Sequence, residues 1–335
     1  MRRTYTWLVL LAAFALVVAA CGGDDNAEAT TTTSTPVTTE TFRIAVVAPS
    51  AANDLAFTQS MIDSLNVIDG EMDLEIAVTD GMFVVEDAAA AIRDYADKGY
   101  DLVIAHGSQY GGSLAEIAPD FPDTSFAWGT AAETFGLPNV YSYQAASDQG
   151  GYVMGVLAAA LSKTGTLGVV GPVEVGDAKL YVDGFAAGAK AEDPAIDVKI
   201  VYTGSFSDVA LASETAQAHV TAGADVLTGS AQMVVGAIGV ASTEGVAWFG
   251  TQANQTQIAP DVVVASQVYH WEGVLREIIA GVQSGTLGGE AYTIDLANGG
   301  EVIEYNPGYD LPADVKAKGD AAVAGIIDGS IVVGG

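Results

Sequence analysis

From Phe42 onward the chain alternates short runs of β-branched and aromatic residues with longer stretches in which apolar positions recur every three or four residues. Runs of the first kind are strands buried on both faces, and stretches of the second kind are the crossover helices that cover them. The pattern predicts strands at 43–48, 74–79, 102–106, 125–128, 140–143, 167–170, 198–203, 226–228, 247–250 and 262–267. It predicts helices at 54–67, 85–98, 111–118, 149–162, 178–190, 208–222, 233–242 and 272–284. Short strands alternating with longer amphipathic helices give an α/β fold with parallel sheets. Ten strands are too many for one ordinary open sheet, so the expectation is two sheets in two lobes.

The two halves echo each other. Ala96-Asp97-Lys98-Gly99-Tyr100-Asp101-Leu102-Val103 and His219-Val220-Thr221-Ala222-Gly223-Ala224-Asp225-Val226 both run from a helix through a glycine stop and an aspartate into a strand. In each, glycine can take the left-handed position that ends a helix. Lobe one is expected at 41–145 plus 268–288 and lobe two at 146–267 plus 289–335. The expected crossings lie near 143–147, near 264–268 and after Gly285.

The first forty residues have a different pattern. Arg2-Arg3 precede an apolar run from Trp7 to Val18 that ends in Ala19-Ala20. That run is too short for a spanning helix, which needs roughly 20 apolar residues, and has the form of a signal peptide over 1–20. The ending Val18-Ala19-Ala20-Cys21 resembles a bacterial lipobox, which implies lipidation of Cys21, the chain's single cysteine, and anchoring to the outer face of the cell membrane. Residues 22–40 are threonine-rich with no hydrophobic period, and are expected to form a disordered stalk.

Acidic residues number 42 against 12 basic ones, a formal net charge of -30. So few cations exclude nucleic acid and anionic headgroups as partners and weigh against phosphorylated ligands. One cysteine allows no disulfide within the chain, so the fold rests on its core.

Ligands of open α/β sheets bind beyond the carboxyl ends of the strands. There the chain offers aromatics and amides rather than a nucleophile with its base, paired carboxylates or a metal cluster. Phe57, Tyr110, Trp128, Phe206 and Trp271 are the candidate stacking residues, and Asn53, Gln109, Gln232, Gln252 and Asn254 the candidate hydrogen-bonding amides. Such a set suits a flat, polar, uncharged molecule. Phe57 and Trp128 equally fit a packing role. Phe206, in Gly204-Ser205-Phe206-Ser207-Asp208, has little core to enter and is expected to face the cleft. Ser207 is the expected helix cap there, with Asp208 at the positive end of the helix dipole. His106, His219 and His270 lie far apart with no partner at metal-ligand spacing. His219 is expected on a helix surface. No motif calls for a cofactor, and no enzymatic activity is expected.

Several stretches together resemble one family: Asp148-Gln149-Gly150-Gly151-Tyr152-Val153-Met154-Gly155, the segment from Leu167 to Lys190, Tyr202-Thr203-Gly204-Ser205-Phe206-Ser207-Asp208, and Gly223-Ala224-Asp225-Val226. They are similar to the basic membrane protein, or purine-nucleoside-receptor-like, substrate-binding lipoproteins of ABC transporters. The resemblance implies two Rossmann-like lobes joined by a hinge, as in type I periplasmic binding proteins. It also implies an extracytoplasmic receptor that holds a purine base or nucleoside and delivers it to a permease. Carried over by motif, Asn53, Phe57 and Phe206 would meet the ligand. The chain departs from the family at Ala52, where an aromatic is usual, at Gln252, where a carboxylate would grip ribose, and at Tyr269, where many members have lysine. His270-Trp271 is similar to the Asn-Trp of a purine-base-binding branch. An extracellular sensor on the same fold, and less favourably a nucleoside hydrolase, are the alternatives. The replacement of carboxylates by Gln252 and Asn254 counts against the hydrolase.

Overall fold

The computed structural model describes residues 41–334; the expected signal peptide, Cys21 and the stalk lie outside the described residues. The first eight elements are β1 (Phe42–Val47), α1 (Phe57–Asp69), β2 (Leu74–Thr79), α2 (Val85–Asp97), β3 (Leu102–His106), α3 (Gly111–Ile117), β4 (Ser125–Gly129) and β5 (Val140–Ala145). The second run is α4 (Ser147–Leu161), β6 (Thr166–Gly171), α5 (Gly176–Glu192), β7 (Asp197–Tyr202), α6 (Val209–Thr221), β8 (Val226–Gly229), α7 (Val234–Glu244), β9 (Ala247–Gly250) and β10 (Val263–Tyr269). Four elements close the chain: α8 (Glu272–Gln283), β11 (Ala291–Ile294), β12 (Glu301–Tyr305) and α9 (Ala313–Ile327).

Two six-stranded sheets result, ordered β2-β1-β3-β4-β5-β11 and β7-β6-β8-β9-β10-β12. The first is parallel throughout, and in the second only β12 runs antiparallel, against β10. The orders are the same, element for element. Central strands β3 and β4 bury every residue, the polar His106 and Ser125 included, as strands covered on both faces do. Helix α2 buries only Ala88, Ile92 and Ala96, one stripe at a spacing of four.

The repeated joins do the same work in both lobes. Gly99 and Gly223 take positive φ of 69° and 97°. Asp101 then accepts the backbone N–H of Arg43 at 2.7 Å, and Asp225 accepts those of Lys163 at 2.7 Å and Thr164 at 3.1 Å. In each case the aspartate ties the third strand of its sheet to the start of the first.

Helices α4 and α5 meet through glycine. A Cβ at Gly155 would lie 2.0 Å from the carbonyl oxygen of Phe185, and one at Gly188 1.9 Å from that of Tyr152. The backbones touch because these side chains are absent, which fixes the position of α5 and of the residues at its amino end.

The chain crosses between lobes three times: between β5 and α4, between β10 and α8, and between β11 and β12. Two expected boundaries move. Val268 and Tyr269 belong to lobe two, because β10 continues through them to pair with β12. The part of 289–335 that forms β11 belongs to lobe one, where it pairs with β5, so the third crossing follows Ile294. His219 is also displaced from expectation. It is buried, and its Nε2–H donates to the Val169 carbonyl at 3.1 Å, in space left by the missing side chain of Gly168.

Candidate functional site

The carboxyl ends of both sheets face one cleft. Lobe one supplies the loops after β1, β3 and β4, and lobe two those after β6, β7, β8 and β9. The free space enclosed between them is small, a cavity of about 40 Å³. The lobes touch across it: the Gln232 amide donates to Ser50 Oγ at 2.9 Å, and the Gln255 amide to the Leu55 carbonyl at 3.4 Å.

On the lobe-one wall Phe57 begins α1 and stacks on His106, with ring centroids 3.8 Å apart and planes 5° from parallel. The imidazole is fixed at both nitrogens. Nε2–H donates to the Phe57 carbonyl at 3.1 Å, so Nδ1 accepts the Tyr143 hydroxyl at 2.7 Å. Full burial pushes its pKa down to about 3, against the Phe57 carbonyl, which favours the charged form. This neutral ring backs Phe57, whose remaining 8% exposure lies on the cleft. Asp54 holds the start of α1 by accepting the backbone N–H groups of Ala56, Thr58 and Gln59 and the Ser50 hydroxyl. Burial raises its pKa, while those bonds oppose the rise.

The lobe-two wall carries Phe206, Gln232, Gln252 and Asp177. Phe206 is half-buried in the turn before α6, and its carbonyl accepts from the backbone of Met233 at 3.1 Å. Ala231 and Gln252 hold positive φ of 71° and 74°, a conformation that costs a non-glycine residue about 1 kcal/mol or more. Asp177, in the first turn of α5, is only 4% exposed, and its desolvated carboxyl is pushed up to about 8. No residue lining the described cleft is basic.

Of the candidates read from sequence, Phe57, Gln109, Phe206, Gln232 and Gln252 line the cleft. The others lie elsewhere. Tyr110 is wholly buried and donates to the Met82 carbonyl at 2.6 Å. Trp128 supports the cleft loop from behind, donating to the Gly107 carbonyl at 3.2 Å and stacking on Phe135. Trp271 is buried, and its indole N–H donates to Ser60 Oγ at 2.9 Å, tying the second crossing to α1. Asn254 bonds Glu304 at 2.6 Å in a separate outer groove. Asn53 is exposed and off the cleft wall. Asp208, rather than Ser207, caps α6, accepting the N–H of Leu211 at 2.9 Å.

Asp177 escaped the sequence reading because an acid in the first turn of a helix has a sufficient explanation in the helix dipole. Its position after β6 was the available signal. Near the crossings a second carboxyl is buried: Glu301 Oε1 accepts from the Gly150 backbone at 2.6 Å and the Gln267 amide at 2.5 Å, while Oε2 has no partner. Desolvation holds this acid well above the usual carboxylate range.

Among curated proteins, the chain is 28% identical over 245 residues to a purine-binding protein of Brucella abortus, covering 73% of this chain and 69% of that one. It is 27% identical over 266 residues to the transcriptional activator protein Med of Bacillus subtilis, covering 79% and 82%. In fold it is similar to the ABC transporter solute-binding protein from Conexibacter woesei, with a TM-score of 0.72, 24% identity and coverage of 88% and 98%. The family model for PnrA-like ABC transporter substrate-binding proteins matches residues 41–317. A paired fold with its cleft between the lobes, and a family match across nearly all of it, lead to one conclusion: the chain belongs to the Bmp family of PnrA-like ABC transporter substrate-binding proteins.

Proposed function

We propose that the protein is an extracytoplasmic receptor, anchored through Cys21, that closes its lobes on a purine base or nucleoside and presents it to an ABC permease. The observation that carries the ligand class is the Phe57 ring, backed face to face by a neutral His106 and turned with its exposed part to a cleft that also holds Phe206. Stacking between aromatic walls suits a flat heterocycle, and the amides of Gln109, Gln232 and Gln252 can serve its polar edge. The absence of basic residues from the described lining weighs against phosphorylated forms. The Brucella abortus relative is named for purine binding, which supports the same class.

Isothermal titration of the purified protein with bases, nucleosides and sugars tests this. Saturable heat with a purine and none with sugars is expected; sugar binding alone overturns the ligand class. A sensor role is the second reading, and the likeness to a protein named as a transcriptional activator favours it. Loss of labelled-purine uptake on deleting the gene supports transport, and unaltered uptake supports sensing.

A further inference from the structure

Helix α5 begins against the opposite lobe. Gly176, at a positive φ of 53°, sits so close to the loops after β3 and β4 that a Cβ there would lie 3.0 Å from Thr130 Oγ1 and 4.0 Å from Ser108 Cβ. Asp177 follows it, in the same cleft lining as Phe57 and Phe206. Its side chain is 4% exposed, and Oδ2 is buried without a hydrogen-bond partner. No cation compensates it. The described lining holds no basic residue, and Lys179, two positions on, is half-exposed and paired with Asp183 at 2.5 Å. The titratable groups whose charge couples to Asp177 are Tyr143 of β5, Tyr269 of β10 and Glu301 of β12, and none is a cation.

An ionised carboxylate in such a place is an uncompensated buried charge, so the group keeps its proton. Desolvation outweighs the pull of the helix dipole, and the carboxyl stays neutral up to about pH 8. A neutral carboxyl has a donor, which a carboxylate lacks. Resting on the reading of this cleft as a purine site, we infer that Asp177 serves it as a neutral carboxylic acid, donating a hydrogen bond to a ring nitrogen or carbonyl oxygen of the bound base. The receptor then binds the base most tightly while Asp177 carries its proton. Ionisation replaces the donor by an anion set against a lone pair of the ligand, a buried mismatch that a polar site rejects strongly.

Isothermal titration of the native protein near pH 6.5 and near pH 9 tests the inference, with adenine and adenosine, whose base acceptors are ring nitrogens, and with hypoxanthine and inosine, which add a carbonyl. Because the free acid titrates near 8, affinity should fall about tenfold between the two pH values, with nearly one proton taken up on binding at the higher pH and almost none at the lower. The effect in the first pair assigns the ring nitrogen, and its restriction to the second pair assigns the carbonyl. Asp177→Asn keeps a donor that does not titrate, so any fall it still shows measures ionisation of the ligand and is subtracted. Asp177→Leu removes the donor and should bind at least about tenfold more weakly near pH 6.5, which gives a readout if the asparagine variant does not fold. A native affinity that falls no more than that of Asp177→Asn, or full affinity in Asp177→Leu, overturns this inference alone. Failure of all four ligands to bind the native protein near pH 6.5 overturns the purine reading and this inference with it.

Discussion

The rings of Phe57 and His106 lie parallel, 3.8 Å between centroids, and the same imidazole donates to the carbonyl of the residue it stacks on. One side chain thus holds both the backbone and the ring of Phe57. Because the folded protein refuses a proton at His106 until about pH 3 while the unfolded chain accepts one near 6.5, acid draws the equilibrium toward the unfolded state. The stability contributed by the neutral ring is complete above pH 6.5 and falls as pH drops from there toward 3. The melting temperature of the native protein minus that of His106→Gln should therefore shrink across that window; a constant difference would refute this assignment.

The buried carboxyls act in the opposite direction. Asp177 keeps its proton up to about pH 8, whereas an unfolded aspartate loses it near 3.8. Its stabilising contribution is full below 3.8 and is lost as pH rises through 8. Glu301, raised by the same desolvation, adds to this slope. Between pH 6.5 and 8 the His106 effect is absent, and the melting temperature should decline with rising pH. Asp177→Asn should flatten that decline, as differential scanning calorimetry at several pH values would show.

Phe206 is half-buried and anchored mainly through its backbone. Phe206→Ala should weaken purine binding by about 1–3 kcal/mol, the usual worth of an aromatic–base stack, and leave the melting temperature nearly unchanged. An affinity equal to that of the native protein would remove Phe206 from the site.

At the α4–α5 seam, Gly155→Ala places a methyl group against the Phe185 carbonyl, where a Cβ has only 2.0 Å. Overpacking of this kind costs about 1–3 kcal/mol, and the helices can relieve it only by separating. Thermal denaturation should drop by a few degrees. Affinity should fall as well, because α5 carries Asp177 into the cleft.

Strands β1 to β10 and helices α1 to α8 were legible from periodicity, since each is a long amphipathic stretch or a buried β-branched run. Strands β11 and β12 were not. Ala291–Ile294 and Glu301–Tyr305 are short edge strands, partly exposed, and carry no apolar run. Helix α9 was missed because Ala313–Ile327 is rich in alanine and glycine and buries only Val315, Gly319, Ala322 and Gly325. In the site, strand order alone brought Phe57, Phe206, Gln232 and Gln252 to one place. Tyr110 and Trp271 follow the same pattern in sequence yet point into the core, because which face of a loop a ring chooses depends on neighbours such as Met82 and Ser60. Sequence adjacency does not record those neighbours.

The late return of β11 to the first sheet has a consequence for biosynthesis. As the chain emerges from the ribosome, residues through Ala145 supply five of the six strands of lobe one, but they lack β11 and the core residues Leu275, Ile278 and Ile279 of α8. Lobe two in turn waits for β12 and α9. Lobe one cannot finish before β11 has been made, nor lobe two before α9, so the nascent chain holds no completed lobe while residues 42–290 are being synthesised.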